Sequence, residues 1–374
     1  MKIPTAVEQT SIRRSRLAGA GRVVVAAMML VFPAKHAWSE PVIFPAAASE
    51  KARILIDAAT DLIAIEPMIR DFQVVAPDVA IEYVEYVSND LFSKALAQCS
   101  KNEPGADLFL SSSVDQLVKL ANDGCGSRYR SITTDALAST AKWRDEVFGF
   151  TSEPAALVYN RDMVPNEDVP HTRTELLDLL RRKSGLYAGR IGSYDIAQSG
   201  IGYLLASTDA RNSSLYGRLI ESFGRAGLVT RCCTADIIKE IEAGHVAIGY
   251  NLLASYALVA QRRGARIGVV LLRDYTLVLS RGAMIPRTAR DPRTAARFLE
   301  YLLSERGQKI AREGGLIFDP QMVRAMESTA QVSLSGSEIL RPIAIGPSLL
   351  AEQDQAKRAR FLAEWRRSMA PPTP

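Results

Sequence analysis

The feature that most constrains the fold of this chain is the regularity with which short apolar runs alternate with segments of helical period. Ala52 to Ile56 reads as a buried strand. Ile65, Met68, Ile69 and Phe72 follow at i, i+3, i+4 and i+7, one face of a helix. Pro77-Asp78 turns the chain into Val79 to Val87, rich in β-branched and Tyr residues, and Leu91, Phe92, Ala95 and Leu96 then return to helical spacing. Ala106 to Leu110 is a third strand, with Val114, Leu117, Val118 and Ala121 behind it. A second series starts after Thr151, with strands at Ala156 to Tyr159, Arg190 to Gly192, Val246 to Tyr250, Ile267 to Leu271 and Thr276 to Ser280. Helices are expected at Glu175 to Arg182, Ile201 to Ala206, Leu215 to Phe223, around Ile237 to Ile241, Leu252 to Arg262 and Pro292 to Ala311. Such alternation predicts an α/β protein of parallel strands with helices on both faces. At 374 residues the chain has room for two compact units.

Charge separates the N-terminus from the rest. Six of the 46 basic residues and one of the 41 acidic ones precede residue 40, so the remainder carries 40 of each. A neutral body lacks the basic footprint that nucleic-acid binding needs, and no nucleic acid is expected as a partner. The charged segment itself reads as an export signal over residues 1–39. Arg13, Arg14, Arg16 and Arg22 precede the apolar run Val23 to Phe32, and small residues follow near Ser39, where cleavage is expected. Ten apolar residues are too few to span a bilayer, which takes about 20. The expected mature protein is soluble and periplasmic, in an oxidising compartment. There Cys99 and Cys125, which flank one strand-helix unit, are expected to pair, whereas a bond between the neighbours Cys232 and Cys233 is geometrically demanding and leaves buried thiols as the alternative.

Catalytic chemistry is scarce. Outside the leader only His171 and His245 remain, and no HExxH, CxxC, GxSxG, P-loop or GxGxxG pattern occurs. Ser139 and Lys142 match SxxK without the companion motifs of the penicillin-binding enzymes, so an exported serine hydrolase is the weaker rival reading. No enzyme activity, metal or cofactor is expected. In α/β sheets ligands bind beyond the carboxyl ends of strands. That singles out the loops Ala58 to Leu62, Ser111 to Val114, Ser193 to Gly202 and Tyr250-Asn251. Each of the first three joins short polar residues to a helix start, where unpaired N–H groups can hold an anion or where Ser, Thr and Asp can merely cap; Asp61 would oppose an anion and favour an amine, which leaves the charge preference of the pocket open.

The stretches AALVYNRDMVP (Ala155 to Pro165), GRIGSYDIAQSGIGYLL (Gly189 to Leu205) and Asp274 to Ala311 carry a resemblance. Over Ala52 to Gly315 the chain resembles the periplasmic solute-binding proteins of ABC transporters, in the group that includes the ferric-iron binders. The resemblance implies a two-lobed type II periplasmic binding protein hinged by two crossover strands, near Thr151-Ser152 and Leu271 to Tyr275. Lobe one would combine residues 40–150 with 276–374, which also hold a helical tail, and lobe two would be 151–275. It implies a monomer that captures a small polar solute, an organic or phosphorylated anion, for a permease. Iron binders of the group carry tandem tyrosines where this chain reads Gly249-Tyr250-Asn251-Leu252, so ferric transport stands as the alternative. The tail Leu340 to Met369 resembles members linked to two-component systems, of the phosphoglycerate-transport regulatory type, which implies a membrane sensor histidine kinase as a second partner. Loop position and resemblance together give the expected ligand contacts: Thr60, Asp61, Ser112, Ser152, Tyr194, Ser199, Gly200, Tyr250, Asn251 and Tyr275.

Overall fold

The computed structural model describes residues 40–318, 332–333 (backbone only) and 339–369. The expected export signal lies outside the described residues. No helix among the described residues is long and apolar enough to cross a membrane.

Two sheets organise the chain. The first has seven strands in the spatial order Val42–Phe44, Val79–Glu85, Ala52–Ala59, Leu108–Ser111, Gly282–Met284, Val147–Gly149 and Lys142–Trp143. The second has the order Val332–Ser333, Ile267–Val270, Glu153–Asn160, Ile248–Leu253, Ile191–Tyr194 and Val229–Arg231. Thr276–Leu279 and Leu340–Pro342 extend it at the Glu153 end. We call the units built on them lobe one and lobe two.

Each sheet is mixed, where alternation alone predicts parallel strands. The strands that precede helices run parallel, as in the Ala52–Ala59 pairs with Val79–Glu85 and Leu108–Ser111. Strands that return from the other lobe run against them: Gly282–Met284 is antiparallel to Leu108–Ser111, and Glu153–Asn160 to Ile248–Leu253. The apolar pattern of a strand buried on both faces carries no direction, so only the crossing of the chain decides it.

The helical periods are realised as packing. Ile65, Met68, Ile69 and Phe72 are buried along the helix Leu62–Val75, and Phe72 meets Phe298 edge-on at 4.9 Å between ring centroids. Burying side chains of this size stabilises the fold by roughly 1.5–3 kcal/mol each. The helix Ser88–Lys101 is tied to the turn after Val114–Asn122 by a Cys99–Cys125 disulfide with Cα atoms 5.5 Å apart. Cys232 and Cys233 are also bonded to each other.

Two segments cross between lobes side by side. Gly149 pairs with Gly282 in the first sheet, and Glu153 with Leu279 in the second, so residues 150–152 and 280–281 form the crossing. The second crossing thus falls a few residues beyond Leu271 to Tyr275, because Thr276–Leu279 is still paired within the second sheet. Ser152 lies at this hinge, accepting from Phe318 N at 2.6 Å and donating its N–H to Leu316 O at 2.9 Å.

The C-terminal tail touches both lobes. Its 3-10 segment Pro347–Glu352 packs on the lobe-one helix Val114–Asn122, and Gln353 Nε2 donates to Asp115 Oδ2 at 2.5 Å. The helix Gln355–Met369 then packs on the lobe-two helix Tyr216–Arg225. Phe361 sits 5.7 Å from the Tyr203 ring and 5.9 Å from Tyr216, and the Arg358 guanidinium lies 4.2 Å over Tyr203.

Candidate functional site in the cleft between the lobes

Between the lobes lies a cavity of about 50 Å³. Lobe one contributes Thr60, Asp61 and Ser112 together with the segment Glu85 to Ser88, and lobe two contributes Ile201, Leu253, Tyr256 and the run Cys232 to Thr234. Arg281, on the crossing itself, completes the wall.

Six helices begin at this wall: Leu62–Val75, Ser88–Lys101 and Val114–Asn122 from lobe one, and Gly200–Asn212, Thr234–Glu242 and Ala254–Arg262 from lobe two. Each places a residue within two positions of its N-cap in the lining. Among the described residues only one of the six, the helix Gly200–Asn212, has a side-chain cap from its N-cap residue: Ser199 Oγ accepts from Gly202 N at 3.1 Å. Leu62 N–H is taken by the Glu85 carboxylate. The remaining starts present their first N–H groups, and the positive ends of their dipoles, toward one small volume.

Arg281 is the fixed cation of the site and is 1% exposed. Its Nε and Nη2 donate to Glu153 Oε1 and Oε2 at 2.7 and 3.0 Å, and Nη1 donates to Thr60 Oγ1 at 3.0 Å. Ser255 Oγ donates to the same carboxylate at 2.5 Å, and Thr151 Oγ1 donates to it at 3.0 Å. Burial alone would pull the Arg281 guanidinium down, but Glu153 beside it holds it well above its ordinary value. Of the five N–H donors of the guanidinium, Glu153 and Thr60 take three, and the Tyr256 side chain is hydrogen-bonded to it as well. Glu85 is pushed up from the ordinary carboxylate range by burial, against the pull of Leu62 N–H. Burial likewise holds the Tyr256 phenol well above its usual value, with Asp61 adding to the effect, so Tyr256 stands as a neutral donor to Asp61.

The lobes meet directly beside the cavity. Gly200 N donates to Ser88 Oγ at 2.8 Å, and Asn89 Nδ2 donates to Ala197 O and Gln198 O at 3.0 and 2.7 Å; within lobe one, Gln116 Nε2 donates to Asn89 Oδ1 at 2.7 Å and holds that amide in place. Gly200 is where close approach matters: a Cβ there would lie 2.6 Å from Gln116 Nε2 and 2.7 Å from Ser113 Oγ.

Of the residues expected from sequence, Thr60, Asp61 and Ser112 line the cavity, and Gly200 makes the contact between lobes. Tyr194 is one step behind the wall, its hydroxyl 2.6 Å from Thr234 Oγ1, and Ser199 acts as a cap. Ser152 belongs to the hinge. Tyr250, Asn251 and Tyr275 lie elsewhere, inside lobe two around Asp209. Their Oη, Nδ2 and Oη atoms donate to that carboxylate at 2.7, 2.6 and 2.8 Å, and Arg173 Nη2 joins them at 3.1 Å. The cause is local. Asn251 adopts φ 58°, and the pairing register with Glu153–Asn160 slips between Gly249 and Leu252, which turns the Tyr250 and Asn251 side chains into the lobe.

Sequence reasoning leaves Glu85 to Ser88, Cys232 to Thr234 and Arg281 out of the site, whereas Tyr256 reads as one of the tyrosines near strand ends that can line one. The first group falls within or just after the β-rich run that reads as strand through Val87, whereas the strand ends at Glu85, and no periodicity marks the short strand Val229–Arg231 ahead of Cys232. Arg281 did leave a signal, a lone charge inside the apolar run LVLSRGAM. The SxxK pair is not assembled for catalysis: Ser139 is exposed, and Lys142 Nζ donates to Thr134 O at 2.8 Å. Among the described residues, three metal-type ligand atoms gather at Cys232, Cys233 and Asp236, where the sulfurs are bonded to each other.

Two α/β lobes, a double crossing and a polar cavity faced by helix starts from both sides define a solute trap of the periplasmic-binding type. Residues 68–320 match the family of bacterial extracellular solute-binding proteins, and the chain belongs to that family, whose members are non-enzymatic components of transport. The substrate-binding protein of an ABC transporter from Agrobacterium tumefaciens is 30% identical, with a TM-score of 0.80 over 88% of this chain and 98% of that one. Two more distant structures share the fold. AfuA from Actinobacillus pleuropneumoniae, with fructose-6-phosphate bound, is 17% identical, with a TM-score of 0.67 over 86% and 99% of the two chains. Iron-bound HitA from Pseudomonas aeruginosa is also 17% identical, with a TM-score of 0.63 over 85% and 99%. No functionally curated protein matches the sequence.

Proposed function

We propose that this protein captures a small anionic solute, an organic phosphate, phosphonate or carboxylate, and presents it in closed form to an ABC permease. The observation that carries the reading is the convergence of six helix starts, from both lobes, with the buried Arg281 on one cavity. N–H groups and dipole ends favour negative charge. Because each lobe supplies only some of the donors, an anion gains its full set of partners only when the lobes meet. Its differential affinity for the closed form is then what shifts the population toward closure. The fructose-6-phosphate held by AfuA agrees with this choice.

The ferric alternative draws less support. Tyr250, at the place where iron binders carry tyrosines, is buried and donates to Asp209, and its phenol is held well above its ordinary value by burial. Export by residues 1–39 into the periplasm, action as a monomer and a sensor histidine kinase as second partner belong to the same proposal. A tail anchored on both lobes supports the last of these, since a partner that binds it touches both lobes at once.

The test is a thermal-shift panel of phosphate esters, phosphonates, carboxylates, amines and ferric citrate. A ligand at about 100 times its Kd adds roughly 2.7 kcal/mol. Shifts are expected with anions, and Ser112→Asp, which adds negative charge to the wall, should weaken the best anion at least about tenfold. A response confined to amines, or anion affinity unchanged in Ser112→Asp, would overturn the reading.

A further inference from the structure

The cavity between the lobes is not isolated. It shares Asp61, Glu85 and Tyr256 with a neighbour of about 280 Å³. Both lobes wall this second space, and its lining is largely apolar: Ile63 and Ala64 from lobe one, Ile238 and Val259 from lobe two, and Leu316 beside the hinge. Half of the Ile63 surface is exposed (50%), an apolar side chain of this size facing open space. Charge is present too: Lys239 lines the space, and Arg263 and Glu242 lie 4.0 Å apart.

The volumes divide the labour. One water needs roughly 10–15 Å³ of such space, so the inner cavity accepts about three to five atoms of water size, enough for the terminal oxygens of one phosphoryl or carboxylate group. Any organic remainder has to lie outside it, and the adjoining apolar space is several-fold larger. On the wall the two spaces share, Asp61 and Glu85 present carboxyl oxygens, which attract a donor.

We propose that the outer cavity is the subsite for the organic body of the solute. The ligand class is then an organic anion with an apolar, ring-sized group joined to the head through a short segment bearing a hydroxyl or ammonium donor. This rests on the anionic-head reading above. Because both lobes wall the subsite, filling it also favours closure.

Three probes separate the parts: methyl phosphate for the head alone, benzyl alcohol for the body alone and benzyl phosphate for both. Affinities are measured calorimetrically or by ligand-observed NMR. Burying the ring should make benzyl phosphate bind at least about tenfold tighter than methyl phosphate. Val259→Trp, filling the space from lobe two, and Ala64→Phe, filling it from lobe one, should each erase that gain while leaving methyl phosphate within about twofold. Two variants on opposite walls, each checked for an unchanged melting temperature, guard against a misfolded one. Equal affinity of the two phosphates, or a gain that survives in both variants, overturns the subsite. If neither phosphate binds, the anionic head is what fails. Benzyl alcohol then decides the subsite: binding lost in the filled variants supports it, and no binding to the native protein overturns it.

Discussion

The Arg281–Glu153 pair joins hinge and cleft, and its removal yields the sharpest test of how the two are linked. Arg281→Met would leave the Glu153 carboxylate, 0% exposed, with only the Thr151 and Ser255 hydroxyls for partners. Breaking a buried pair by removing one member costs about 3–5 kcal/mol, most of it the charge left behind. For a cooperative unit of this size, an unfolding entropy of about 2.1 cal/mol/K per residue turns that into a drop of roughly 4–7 °C in Tm. Glu153→Gln strands the guanidinium instead. The double variant Arg281→Met/Glu153→Gln removes both charges and should recover much of the loss, with a coupling of about 2–3 kcal/mol. Guanidinium-chloride unfolding of the four proteins gives the cycle. Single variants that each cost under about 1 kcal/mol, with the double equal to their sum, would refute the claim that the pair acts as one buried unit. Arg281 would then be serving the ligand and not the hinge.

Two further outcomes follow from groups away from the cavity. Burial lifts the Asp115 carboxyl to about 6, against the opposing pull of Gln353 and Arg358. Its proton is therefore held more tightly folded than unfolded, so this stabilisation is full below about pH 4 and is lost as pH rises through 6. Asp115→Asn, which keeps an acceptor for Gln353, should flatten the fall in unfolding free energy between pH 4 and 7 by an amount on the order of 2–3 kcal/mol, read by denaturant unfolding across that range; an unchanged pH slope refutes it. The Cys99–Cys125 bond closes a loop of sequence separation 26, and its replacement by two serines should cost roughly 3.5 kcal/mol by chain entropy. Reversible denaturant unfolding under oxidising conditions checks this, and a loss below about 1 kcal/mol would show that the reduced chain is already constrained there.

Much of the architecture was legible because it depends on local period. The spacing of Ile65, Met68, Ile69 and Phe72 is a property of one helix, and the structure buries those four residues together. Thr60, Asp61 and Ser112 were legible for a related reason: a polar residue between a strand and a helix of an α/β unit has little choice but the carboxyl edge of the sheet. What could not be read is what depends on distance or on parity. Arg281 and Thr60 are bonded across 221 positions, a contact made by the crossing of the chain and by no local pattern. Tyr250 and Asn251 look like edge residues until one left-handed residue shifts the register and redirects both. A tyrosine reads the same in sequence whether it faces a ligand or a buried aspartate. The direction of the returning strands was hidden for the same kind of reason.

The tail, anchored on lobe one through Gln353 and Asp115 and on lobe two through Phe361, also limits how the cleft can gape. Only Gln353 and Asp354 separate its two anchored segments. A connection that short cannot lengthen by more than a few ångström, at about 3.3–3.6 Å per residue when fully extended. The flank it spans must therefore stay nearly stationary while the lobes swing apart. Together with the double crossing, a tail held in this way ties the lobes at more than one place, as a book is held at its spine by more than one stitch.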